Sequence, residues 1–273
     1  GSGTIDFSGN SAQIYRNSGN QTLSIGSGIT IQASGANATT VYLGQYSDET
    51  ITLQSGAIWN VNNSAKTWVT GNIVNQGTLN VSAGGVYLGP SSGNGTASNL
   101  GGTINLSGGF VTLGRDNGDT FLASNLGTIN QSGTGLAYVN GTLNLEGNTV
   151  NLSTVGLTGL ILNNGGTILG GGVSNQLTAT PGFNLSWAGG TMNAVNLGVN
   201  ATLTASTTNY FSNGLNLVGG VTVAIGANAN LSYVGNTSIT GSGTIDFSGN
   251  SAQIYRNSGN QTLSIGSGIT IQA

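Results

Sequence analysis

Apolar residues recur in this chain at every second position, in short bursts. Ile5 and Phe7, Leu23 and Ile25, Ile29 and Ile31, Val41 and Leu43, Ile51 and Leu53, and Ile104 and Leu106 each bracket a single residue. The pattern continues through Val111 and Leu113, Leu143 and Leu145, Val150 and Leu152, Leu215 and Leu217, and then Val221, Val223 and Ile225. Side chains of an extended strand alternate between its faces, so this period puts the aliphatic residues on one side and mainly Asn, Thr or Ser on the other. No stretch sustains the 3.6-residue period of a helix. Gly, Asn and Ser-Gly separate the bursts, which predicts an all-β chain of short strands.

Spacing separates a sandwich from a wound coil. Gly77-Thr-Leu-Asn, Gly102-Thr-Ile-Asn and Gly127-Thr-Ile-Asn lie 25 residues apart, and Gly141-Thr-Leu-Asn, Gly166-Thr-Ile-Leu and Gly190-Thr-Met-Asn follow one another at 25 and 24. Val86-Tyr-Leu-Gly and Val111-Thr-Leu-Gly are again 25 apart, and Ser98-Asn-Leu-Gly returns as Ser124-Asn-Leu-Gly. A sandwich gives no reason for such a period. A solenoid does, because each coil lays its strands in register on the one before and equivalent positions form columns. The prediction is an all-β, right-handed parallel β-helix (β-solenoid) with coils of about 25 residues. The step of 14 from Gly127 to Gly141, and those of 28 and 21 from Gly28 to Gly56 to Gly77, point to coils of unequal length.

Residues 241–273 repeat residues 1–33 letter for letter. Identity over that length implies a recent tandem array, reuse of one segment, or a window onto a longer repetitive polymer, the last being the expectation. The domain reading is one full unit over 1–240, holding roughly ten coils, and the start of an identical unit over 241–273, continuous with the same solenoid. At ~4.8 Å per coil the unit would rise about 48 Å. Gly3 and Gly28 are themselves one coil length apart, so the second copy re-enters in phase.

Composition narrows the class. Four basic and seven acidic residues make up 4% of the chain, against roughly 25% in ordinary soluble domains. Hydrophobic residues at 37% suffice for a core and argue against disorder, and two prolines exclude collagen. A net charge of −3 leaves no basic patch for nucleic acid or anionic lipid, and no run of 18 apolar residues suggests membrane insertion. No charged-then-apolar leader opens the sequence; residue 1 falls inside the repeat, so that absence is expected to report a missing end rather than a cytoplasmic address. With neither Cys nor His, disulfides, Cys/His metal sites and His general bases drop out together.

The carboxylates are the remaining chemistry. A glycosidase needs two facing each other across a cleft. Asp6 and Glu146 sit at outward positions between apolar neighbours and read as solvated charges; Asp246 is the copy of Asp6. Two local acid pairs remain, Asp48 with Glu49 and Asp116 with Asp119, each after a Val-x-Leu-Gly phrase. They are weak candidates for Ca²⁺, because two carboxylates are few for an ion of six to eight ligands, and an ordinary polar turn is the stronger reading. No catalytic residue and no cofactor is expected. Among the tryptophans, alternation points Trp59 and Trp187 inward and leaves Trp68 as the weak candidate for an exposed sugar platform. The Thr-x-Thr pairs at Thr50, Thr178 and Thr202 are too isolated for an ice-binding face. Sequons at Asn20, Asn37, Asn94, Asn140 and Asn200 leave glycans as a candidate modification.

The Gly-Thr-Ile/Leu-Asn phrases, the Ser-Gly and Asn-Gly corners and the low charge resemble the large repetitive surface proteins of bacteria, the filamentous-haemagglutinin-like and autotransporter-passenger-like β-helix adhesins. The resemblance is one of texture over the whole chain. It implies export, β-helix folding outside the cell, and roles in adhesion, aggregation or biofilm matrix. The expected function is an extracellular structural filament of tandem solenoid repeats, partnering itself end to end through identical repeats, with lateral packing as a further candidate. The alternatives are an adhesin stalk that binds host surface or polysaccharide, and, third, a polysaccharide-degrading enzyme.

Overall fold

The computed structural model describes residues 1–8, 12–14, 20–35, 40–90, 98–115, 118–171 and 176–273. Among these the chain is all-β, with no α-helix and one 3-10 turn at Ala123–Asn125. The strands pair in parallel and wind into a β-solenoid of about ten turns. Two compact units divide the chain: residues 1–142 with 155–157, and residues 143–154 with 158–273.

In the first unit, three stacks of strands surround the core. One stack sets Ile5, Ile31, Trp59, Leu79, Ile104 and Ile129 in a single column. A second sets Val41, Trp68, Val86, Val111 and Ala137 above Ala12. The third carries Leu23, Ile51 and Ile73, then Ser98 and Phe121. Nearly all the aliphatic residues in these columns are buried, as the two-residue alternation requires. The 25-residue phrases stack as expected, with Thr78, Thr103 and Thr128 in one row.

At the corner before that row, Gly77, Gly102 and Gly127 pass so close that side chains do not fit. A Cβ on Gly102 would stand 2.5 Å from the carbonyl oxygen of Gly77, and one on Gly127 would stand 1.8 Å from that of Leu100. The glycine in the phrase is therefore a packing requirement of the stacked corner.

In the second unit, Leu160, Leu185, Ala201, Val223, Ile245 and Ile271 form one column, and Leu162, Trp187, Leu203 and Ile225 another. Val195, Leu215, Ile239 and Ile265 line a third. Residues 241–273 continue these columns without a break. Coil length varies here: Leu185 and Ala201 are 16 residues apart, Ala201 and Val223 are 22, Leu160 and Leu185 are 25, and Ile245 and Ile271 are 26. The step of 14 between the two phrase series has a different cause. The strand Thr128–Gln131 lies on Thr103–Leu106 in the first unit, whereas Thr142–Asn144 pairs with Thr167–Leu169. The same phrase has moved to another face, and no coil of 14 residues exists at that point.

Gly102→Ala is expected to lower unfolding stability by about 1–3 kcal/mol, because its Cβ has no room beside Gly77. Gly159→Ala, where the nearest atom would be 3.4 Å away, should stay within about 0.5 kcal/mol of the parent. Urea unfolding followed by circular dichroism separates the two; equal effects would mean the corner contact is wrong.

Candidate functional site

The acidic loops do structural work at their own turns. Glu49 is buried, and its carboxylate accepts the backbone N–H groups of Gln45 and, at 2.7 Å, of Tyr46. Asp119 is also buried and accepts the N–H of Arg115 at 2.9 Å. In both cases the acid lies four residues after the first donor, which itself follows the Gly of a Val-x-Leu-Gly phrase. The two loops are one device used twice: a carboxylate folded back onto the amides at the start of its own turn. Asp116 lies outside the described residues. Among the described residues no group of three or more acids gathers that could hold a metal ion. Asp6 is exposed and accepts from the hydroxyl of Ser34 at 2.6 Å and its N–H at 2.9 Å; the hydroxyl first, then the amide, hold its carboxyl below the usual range. Glu146 stands exposed at a turn with φ of 53°.

Trp68 is a correction. It is 1% exposed, meets Trp59 edge-to-face at 5.0 Å and Phe7 at 5.4 Å, and occupies the column of Val41 and Val86. A ring enclosed on both faces offers no surface to a sugar. Trp59 and Trp187 are buried as expected, and the Trp187 indole N–H donates to the carbonyl of Gly190 at 2.8 Å. The Thr pairs form no array, since Thr50 stacks between Thr22 and Asn72 and Thr52 between Ser24 and Val74.

Two outer rows carry the surface. In one, Asn80 donates from Nδ2 to Oδ1 of Asn60, Asn105 to Asn80 and Asn130 to Asn105, at 2.9, 2.8 and 2.9 Å. Each inner amide both donates and accepts, so the row is a continuous polar chain along the stack. The second unit repeats the principle with Asn213 on Asn193 and Thr240 on Asn216.

The other row is aromatic, and the alternation pattern did not single it out. Phe110 packs edge-to-face between Tyr87 at 5.5 Å and Tyr138 at 6.0 Å, with Leu136 exposed beside it. The ring covers Gly85, whose absent side chain makes the space: a Cβ there would be 2.1 Å from Phe110 Cζ. Tyr42, Tyr87 and Tyr138 stand at one register position; the recurring Val-Tyr-Leu-Gly phrase marks the first two, and Tyr138, in Ala137-Tyr-Val-Asn, joins them only through strand pairing.

The duplicated segment supplies the sharpest comparison. Gly3–Asp6 pairs with Ile29–Gln32 in the same register as Thr244 to Asp246 pair with Thr270 to Gln272. Identical residues then differ only in what covers them. Ile31, beneath Trp59, is 0% exposed, and its counterpart Ile271 is 50% exposed. Ile25 beside Leu53 is 3% exposed, against 43% for Ile265. Conversely Ile245, covered by Val223 on one side and Ile271 on the other, is 0% exposed, whereas Ile5 is partly exposed. Burial of these identical side chains is therefore set by the neighbouring coil.

Comparison with protein-family models, with curated proteins and with solved structures finds no match to this chain.

Two measurements test these assignments. Asn105→Ala should cost about 1–2 kcal/mol, since both neighbours lose a partner, and Asn130→Ala at the end of the row should cost less; equal costs would dismiss the row as a cooperative element. Asp119→Ala should cost about 1–3 kcal/mol by stranding the Arg115 amide. The parent's thermal midpoint should be the same in millimolar calcium and in EDTA, and a rise with calcium would restore the metal reading of that loop.

Proposed function

We propose that the chain is a structural rod, a segment of an extracellular or cell-surface filament built from tandem β-solenoid units, without catalytic activity. The observation that carries this reading is the duplicated segment, whose side chains are buried where a further coil lies on them and exposed where none does. A fold whose end surfaces are made of the same columns as its interior gains the same contacts with every added coil. The polar rows suit the role, because amide-to-amide bonds run along the rod axis and resist separation of coils.

The disposition of the acids supports the non-catalytic part. Glu49 and Asp119 are turned onto backbone amides and Asp6 onto Ser34, which leaves each a local structural task. Glycoside hydrolysis needs a facing pair instead.

A second reading, an adhesin stalk with its own carbohydrate contact, is favoured by one observation, the Tyr87, Phe110, Leu136 and Tyr138 patch on the outer face. Aromatic rings offer apolar faces to sugars and Tyr adds a hydroxyl. If this reading holds, Tyr138→Ala abolishes binding to an oligosaccharide array without moving the thermal midpoint by more than a few degrees; an array on which the parent binds nothing removes it.

The rod reading is tested by length. A chain extended after Ala273 by one further unit, residues 34–273, should lengthen by about 48 Å in small-angle scattering or electron microscopy, at unchanged cross-section. A thicker particle, or one no longer than the parent, would rule out the rod.

A further inference from the structure

Asparagine followed by glycine is the pair in which a backbone nitrogen most readily attacks the side chain before it, since glycine puts no side chain in the way of ring closure. Such pairs begin at Asn94, Asn117, Asn140, Asn164 and Asn213. Asn94 and Asn117 lie outside the described residues. The other three differ in what holds the two groups that must meet, the asparagine side-chain amide and the glycine nitrogen.

At Asn140 the Gly141 N–H donates to the carbonyl of Leu113 at 2.9 Å, and Gly141 is buried against Asp119. At Asn213 both groups are engaged. Its Nδ2 donates to Oδ1 of Asn193 at 2.9 Å, and the Gly214 N–H donates to Oγ1 of Thr237 at 2.8 Å. At Asn164 neither group is held. Residues 163–166 form a turn closed by the Gly166 N–H on the carbonyl of Asn163 at 2.9 Å, with Gly165 at φ of 84° in the third position, as a type II turn requires. The central peptide, from Asn164 to Gly165, takes no part in that bond. Asn164 is exposed, and among the described residues neither its side-chain amide nor the Gly165 N–H bonds to another protein group. Rotation about ψ of Asn164 and φ of Gly165 therefore breaks no hydrogen bond, and glycine allows both signs of φ.

We propose that Asn164 is a site of self-modification, converted to aspartate and isoaspartate with water as the only co-reactant, while the solenoid protects Asn140 and Asn213. The Gly165 nitrogen gives its proton to solvent and bonds to Cγ of Asn164. The Cγ–Nδ2 bond breaks, and the leaving nitrogen takes a proton from solvent to depart as ammonia. Water then opens the five-membered imide: cleavage at Cγ gives aspartate, and cleavage at the main-chain carbonyl carbon leaves the backbone running through Cγ, which is isoaspartate. Either product adds one negative charge to a chain of net charge −3. The strands on both sides of the turn, Gly159–Asn163 and Thr167–Leu169, are paired with the next coil, so conversion marks the chain without unwinding it. The reaction needs no enzyme, and its extent grows with the age of the chain.

The test incubates the folded chain in water enriched in heavy oxygen, digests it in ordinary water and maps the peptides by mass spectrometry, so that only conversion during the incubation carries label. The peptide holding Asn164 should gain label at least about tenfold faster than those holding Asn140 and Asn213, because each of these must first give up a hydrogen bond. In denaturant strong enough to abolish the strand signal in circular dichroism, the three sites should label at similar rates. Asn164→Gln should clear the label from its peptide, which also contains Asn163, and leave the other two unchanged. Labelling of Asn164 no faster than of Asn140 or Asn213 in the folded chain overturns the proposal. So does label that survives Asn164→Gln, or a preference for Asn164 that persists in denaturant, since local sequence and not the coil contacts would then set the order.

Discussion

Everything in this structure follows from laying one parallel strand on another in register at ~4.8 Å, coil after coil. Each backbone layer satisfies its neighbour's peptide groups, and each side chain meets the residue one coil away. A residue's environment is then set mainly by its column. Aliphatic columns such as Ile5, Ile31, Trp59, Leu79, Ile104 and Ile129 make the core, and outward columns make the surface. The constraint reaches the corners too, where Gly77, Gly102 and Gly127 recur because a side chain there would collide with the coil beneath.

The same spacing explains the shortage of charge. Like charges repeated in a column would stand ~4.8 Å apart and repel by about 1 kcal/mol in water, and several times that beside a less polar wall. Asparagine avoids this because its amide donates to one neighbour and accepts from the other, as the row from Asn60 to Asn130 does. Composition and architecture are thus one fact: a stack of equivalent residues favours side chains that attract their own kind. The few acids present escape the rule by serving locally. Glu49 and Asp119 turn away from any column onto the amides of their own loops, and Asp6 binds Ser34 on the adjacent coil.

The duplicated segment shows how far burial belongs to context. Ile31 and Ile271 share a sequence environment of more than thirty identical residues, yet one is enclosed and the other is half exposed. The difference is the presence of Trp59 on the first.

The sequence alone determined the strands, their two-residue alternation, the coil period between Gly77 and Asn130 and the columns that follow from it, because these are repeated local signals. It also implied the turn reading of the acidic loops, though not that the acids would fold back as buried acceptors. What only the tertiary structure decided is phase. Trp68 and Val69 are both buried, so alternation could not say which way Trp68 points; the Val41 and Val86 column above and below it did. The move of the Gly-Thr-Leu-Asn phrase to another face at Gly141, and the Phe110 ring resting on Gly85, are likewise contacts between residues a coil apart. A chain read along its length shows the period of such a stack. The angle at which each turn enters it is fixed only when the neighbouring coil is in place.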